Sequence, residues 1–157
     1  MKNTVLTVTF LALAAIIPST LSAQTQMVWD DWGLGFTLAP GMRITENNGE
    51  TFSAERDDLH LSITPVEDAW AYEEDLANAV LIMMDAMEFE RITDADEMQL
   101  NDLYGYFIEG QSQGVQAVVM ALMDTASHRN FLVTMVYLPE SRNQAINLFK
   151  SMYAYGD

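Results

Sequence analysis

The sequence contains no cysteine. That excludes disulfides, thiolate metal centres, iron–sulfur clusters and cysteine nucleophiles together. Basic side chains are scarce as well: seven Lys and Arg stand against 23 Asp and Glu, a formal charge of −16. A surface this acidic repels phosphate backbones and anionic headgroups, which argues against nucleic-acid binding. The two histidines, His60 and His128, lie far apart in the chain, a poor start for a transition-metal site. Beyond the leader described next there is no Pro/Gly linker, low-complexity run or internal repeat. Walker, dinucleotide-binding and G-x-S-x-G motifs are missing too, so neither a phosphate loop nor a nucleophile elbow is encoded.

What is present begins with "MKNTVLTVTFLALAAIIPSTLSAQ". Lys2 gives a positive start, Val5 to Ile17 an apolar run, and Pro18 a break before small residues. This is the grammar of a secretory signal peptide, with cleavage expected after Ala23. The apolar run is too short to span a bilayer comfortably. "LSAQ" approaches the end of a lipoprotein signal, but Gln24 stands where a lipidated cysteine would be. The expectation is a cleaved leader, 1–23, and a soluble, unlipidated product, 24–157, in the periplasm or outside the cell. Losing Lys2 takes the formal charge from −16 to −17. The remaining 134 residues suit one domain with one core, and without disulfides hydrophobic burial must hold it.

Along this body, "QMVWDDWG" (26–33) reads as a short helical turn and "LGFTL" (34–38) as a strand stopped by Pro40-Gly41. "MRITEN" and "TFSAER" flank Asn48-Gly49, a strong hairpin signal. In "LHLSITPV" the residues Leu59, Leu61 and Ile63 alternate with His60, Ser62 and Thr64. The period then changes: Leu76, Val80, Met83 and Met87 recur at helical spacing, with Glu73, Glu74 and Asp75 in the early turns. A helix is expected over Ala69–Met87. Four strand-like runs follow, the last two apolar on both faces as central strands are. Pro139 ends the last of them, and "ESRNQAINLFKSMYAY" reads as a closing helix with Ala145, Leu148, Phe149 and Met152 inward. The fold class expected is α+β: an antiparallel sheet of about seven strands with helices packed on it.

That order of elements, the early "FTLAPGM" (36–42) and the glycine–aromatic step Gly105-Tyr106 together resemble the Mog1/PsbP-like family. The resemblance implies an α/β/α sandwich. It also implies a binding or accessory role, since members include a nuclear-transport GTPase binder, photosystem accessory proteins and bacterial exported proteins. It brings no catalytic residue with it.

Each cluster of chemically capable residues has a plainer reading beside it. Asp124, Ser127 and His128 hold triad residue types, but in "DTASHRN" they sit in a turn and point in different directions. Met120 and Met123 have the spacing of a thioether pair, yet on a strand they face opposite ways, and Met83 and Met87 read as core. Asp94 and Asp96 fall on one side of a strand and form a candidate weak cation site. The loop lacks the mid-loop glycine and closing glutamate of an EF-hand, so solvated edge acids are the simpler account. Trp29 and Trp32 could form an aromatic binding face, with Tyr104 and Tyr106 as the lip of a cleft; all four are equally suited to burial, as is Trp70. No catalytic residue and no cofactor is expected. The function expected is that of an exported, non-catalytic protein with a protein partner, the alternative being a periplasmic binder of a small molecule or divalent cation.

Overall fold

A computed structural model describes residues 23–66 and 73–155. Strands β1 (Thr25–Trp29) and β2 (Leu34–Leu38) pair antiparallel, and a short last strand, β10 (Tyr153–Ala154), pairs with the other edge of β2. The large sheet comprises β3 (Arg43–Asn47), β4 (Phe52–Arg56), β5 (Leu59–Val66), β6 (Arg91–Leu100), β7 (Leu103–Ser112), β8 (Val115–Asp124) and β9 (Asn130–Tyr137). Its order is β3-β4-β5-β9-β8-β7-β6, antiparallel throughout. Helix α1 (Glu73–Ala86) lies on one face. On the other lie α2 (Arg142–Lys150), entered through a 3-10 turn at Pro139–Ser141, and the small sheet. No helix among the described residues is long and apolar enough to cross a membrane.

Side-chain period builds these layers. In β5, Leu59, Leu61 and Ile63 point into the core with Phe52 and Ala54 of β4, Phe131, Val133 and Met135 of β9, and Leu148 and Met152 beyond. Phe36 meets Phe52 edge-on at 4.9 Å between centroids. Burying such a side chain contributes about 1.5–3 kcal/mol, which is how a cysteine-free domain is held. The central strands β8 and β9 feed both layers: Met120 and Leu122 enter this core while Val119 and Ala121 meet Leu76, Ala79 and Val80 of α1.

Turn chemistry sets the register. Gln113 and Gly114 both take positive φ, the backbone of a tight two-residue hairpin between β7 and β8. The Asn48-Gly49 hairpin forms as a four-residue loop, where the Asn48 Oδ1 accepts from the N–H of Glu50 and Thr51 at 2.8 and 2.7 Å. At Gly105 a Cβ would lie 1.9 Å from the Ala121 carbonyl oxygen, so the backbone of β8 itself comes close there.

Two local expectations fail. "QMVW" is a strand, because Trp29 can reach the core from β1 and Met27 pack against it, both on one face, while Val28 is exposed. The last helix stops at Lys150. Ser151 donates its hydroxyl to the Leu148 carbonyl at 2.5 Å and accepts the Thr37 N–H at 2.8 Å, and Tyr153–Ala154 then pair with β2. The expected start of the first helix and Trp70 fall outside the described residues, as do residues 1–22 of the expected leader 1–23.

Candidate functional site

Beneath α2, strand β7 presents Leu103, Phe107 and Glu109 to the main core. Glu109 is 7% exposed, a costly place for a carboxylate unless it is fully paired. Arg142, the first residue of α2, grips it with both arms of its fork: Nε donates to Oε1 at 2.9 Å and Nη2 to Oε2 at 2.8 Å. The Tyr137 hydroxyl donates to the same Oε1. Burial pushes the Glu109 carboxyl up, but Arg142 and Tyr137 outweigh it and hold the group below its ordinary value. Burial, and then Glu109, drive Tyr137 upward, so it stays a neutral donor.

Beside this triad a cavity of about 220 Å³ opens between α2 and the sheet. Met120 and Met135 are buried in its lining; Phe107 and Phe149 are half-buried walls; Asp94 and Lys150 are its exposed charges. Asp94 is there because the β6–β7 register sets it opposite Glu109.

The opposite face differs. Tyr104 and Tyr106 stand edge-on at 5.9 Å, with the Tyr104 hydroxyl donating to that of Tyr106 at 3.1 Å and lying 3.5 Å from Glu97 Oε2. Both pack against the α1 layer. A groove of about 360 Å³ runs between α1 and the β6–β7 edge, lined by Ala77, Val80, Leu81, Tyr106 and Ile108, with Asp96 and Glu97 among its polar residues. At its rim Leu81 is 51% exposed, and the next residue on the helix, Ile82, is 69% exposed.

The two tryptophans do not join the tyrosines. Trp29 is 5% exposed and belongs to the core under the α2 face, 6.0 Å from Phe52. Trp32 meets Trp29 edge-on at 6.5 Å and donates its Nε1–H to the Gly49 carbonyl at 2.9 Å. The pair therefore closes one end of the sheet, while Tyr104 and Tyr106 lie across it.

Asp94 and Asp96 do share one side of β6, opposite Glu109 and Phe107 respectively. Among the described residues, no three His, Cys, Asp or Glu side chains are placed to hold a metal ion. Asp124 closes its own turn by accepting from the Ala126 N–H at 2.9 Å and from the Ser127 hydroxyl. His128 is exposed with φ +58°, and His60 is exposed on the sheet.

Sequence reading did not single out this triad. Arg142 lies 33 residues from Glu109 on another element, and no local spacing announces such a pair.

Comparison with family models and with curated proteins gives no match for the chain. Solved structures do share its fold. Cyanobacterial PsbP (CyanoP) from Synechocystis sp. PCC 6803 superposes with a TM-score of 0.59 at 12% identity, over 91% of this chain and 99% of that one. The Ran-binding protein Mog1p of Saccharomyces cerevisiae superposes with a TM-score of 0.52 at 7% identity, over 85% and 96%. A Bacteroides thetaiotaomicron protein gives 0.55 at 11% identity, over 87% of this chain and only 50% of its own length. The chain thus has the Mog1/PsbP-like fold, as the order of its elements implied.

Proposed function

We propose that this protein is exported with loss of residues 1–23 and acts, without catalysis, by binding another protein through the face formed by α1 and the β6–β7 edge. The observation that carries this reading is the adjacent pair Leu81 and Ile82, half-exposed or more, at an apolar groove with Glu97 in its lining. Large apolar side chains grouped in this way mark interaction surfaces, and the Glu97 carboxylate beside them favours a cationic partner. The partner fitting both features presents an apolar ridge flanked by Lys or Arg. Tyr106 lines the groove and Tyr104 packs beside it, so the tyrosine pair belongs to this surface.

The shared fold supports a binding role: one structural neighbour is named for binding Ran. The buried titratable cluster Glu109–Tyr137–Arg142 is internally paired and ties α2 to the sheet, which is in keeping with a structural role for it.

The test is affinity capture from envelope extracts with the mature protein and with a Leu81→Glu/Ile82→Glu variant, in low and in high salt. A partner retained by the first, lost by the second and weakened by salt supports the reading. Identical capture by both proteins would sink it.

A further inference from the structure

The cavity under α2 lies across the sheet from the proposed docking face, and its chemistry points to a different occupant. Its interior is apolar, with Met120 and Met135 buried in the lining and Phe149 beside them. An apolar cavity of about 150 Å³ can hold a benzene ring, so the 220 Å³ here accommodates one ring or a branched four-carbon group. The charges in its lining are unusual for this molecule. The chain as a whole carries −16, yet the lining holds Asp94 and Glu109 against Arg142 and Lys150 and is formally neutral.

Those four groups are not equivalent. Glu109 has both its oxygens occupied, by Arg142 and Tyr137. Asp94 and Lys150 are exposed and take part in none of the ion pairs among the described residues. The lining therefore offers one available carboxylate and one available ammonium beside an apolar chamber. A simple carboxylic acid would satisfy Lys150 and leave an anion facing Asp94; a simple amine would do the reverse. A zwitterion with an apolar body leaves neither group opposed.

We propose that this cavity binds a free apolar α-amino acid, its side chain inside against Met120 and Met135, its carboxylate toward Lys150 and its ammonium toward Asp94. Phenylalanine and leucine have side chains of the right size. The complex is weak, because both charged contacts are made at an exposed mouth where water screens them.

The test is methyl NMR of protein carrying ¹³C-methyl methionine, titrated with L-phenylalanine, with 3-phenylpropionate, which lacks the ammonium, and with phenethylamine, which lacks the carboxylate. Phenylalanine is expected to move the Met120 and Met135 signals and leave Met83, Met84 and Met87 in place. Each analogue is expected to bind about tenfold more weakly. Asp94→Asn should weaken phenylalanine and, with the opposing charge gone, strengthen 3-phenylpropionate; Lys150→Gln should weaken both of these and strengthen phenethylamine. Silence of Met120 and Met135 at about 10 mM phenylalanine would overturn the proposal. So would equal affinity for phenylalanine and either analogue. Since Leu81 and Ile82 lie on the other face, the Leu81→Glu/Ile82→Glu variant should bind phenylalanine unchanged, which separates this proposal from the protein-docking reading.

Discussion

Arg142 holds Glu109 through two parallel hydrogen bonds of 2.9 and 2.8 Å, and with them the first turn of α2 is fastened to strand β7. Arg142 is half-exposed and Glu109 is buried, so the two ends of the pair are not interchangeable. Removing the arginine strands a carboxylate inside the protein, and Arg142→Ala is expected to cost about 3 kcal/mol at neutral pH. The pH dependence gives the sharper reading. In the native protein the Glu109 carboxyl lies below its ordinary value of 4.5, so its contribution is fully present above 4.5 and fades as pH falls through the lowered value. In Arg142→Ala burial acts with only Tyr137 against it, the carboxyl rises, and the penalty grows as pH climbs past 4.5. The gap in urea-unfolding free energy between the two proteins should therefore widen from about pH 4 to about pH 7. A gap independent of pH would show that the arginine acts by packing alone.

Gly105→Ala should destabilise by about 2–3 kcal/mol, since its Cβ would meet the Ala121 carbonyl oxygen at 1.9 Å and a central backbone cannot step aside. Gly114→Ala makes a useful comparison: a Cβ there meets nothing within 4 Å, although φ is +83°. Its cost should be the smaller and come from backbone strain, about 1 kcal/mol. Chemical denaturation of both variants measures the order.

A second clamp joins the β4–β5 turn to the start of α2. Arg56 donates Nε to Asp58 Oδ1 at 2.5 Å, Nη1 to the Pro40 carbonyl at 2.6 Å, and Nη2 to Gln144. Ser141 donates its hydroxyl to the other oxygen of Asp58. Arg56, then Ser141, hold the Asp58 carboxyl below its ordinary 3.8. This contribution is present above 3.8 and disappears as pH falls through the lowered value. Asp58→Asn is expected to lose about 1.5 kcal/mol at neutral pH and to match the native protein more closely in acid, as followed by thermal unfolding at several pH values.

Leu81→Glu and Ile82→Glu should each change stability by less than about 0.5 kcal/mol, because both side chains already face water on a helix that tolerates glutamate. A larger loss in either would mean that the side chain is doing structural duty, and the capture experiment would then need Ile82→Ser in place of the double variant.

For the leader, intact mass of the exported protein should correspond to Gln24 as first residue. Retention of residues 1–23, or the added mass of a lipid, would contradict the expectation.

Much of this architecture was readable from local pattern. The strict alternation of Leu59, Leu61 and Ile63 and the helical recurrence of Leu76, Val80 and Met83 each follow from one element burying one face. The separation of Met120 from Met123 onto opposite faces was readable for the same reason. What escaped depended on distant partners. Residues 151–154 carry a helical apolar rhythm, yet Ser151 spends its hydroxyl on Leu148 and Thr37, and Tyr153 finds Gly35. Asn101 lies in the β6–β7 turn, yet it donates Nδ2–H to the Met152 carbonyl at 2.7 Å, far away in the chain. Only the folded chain brings Arg142 and Tyr137 to Glu109. The exposed pair on α1 was hidden differently: Leu81 and Ile82 sit among Val80, Met83 and Met84, where composition gives no hint of which residues stay wet.

The small sheet has a bearing on when this protein can exist as a folded object. Strand β2 is flanked on one edge by β1 and on the other by β10, so residues from both ends of the described chain close on the same five residues. Tyr153 and Ala154 follow every other described element, so β2 gains its second neighbour only after all of them have been synthesised. Pairings of such long range form late. The β2 edge that β10 will cover thus stays open while the elements between them are synthesised.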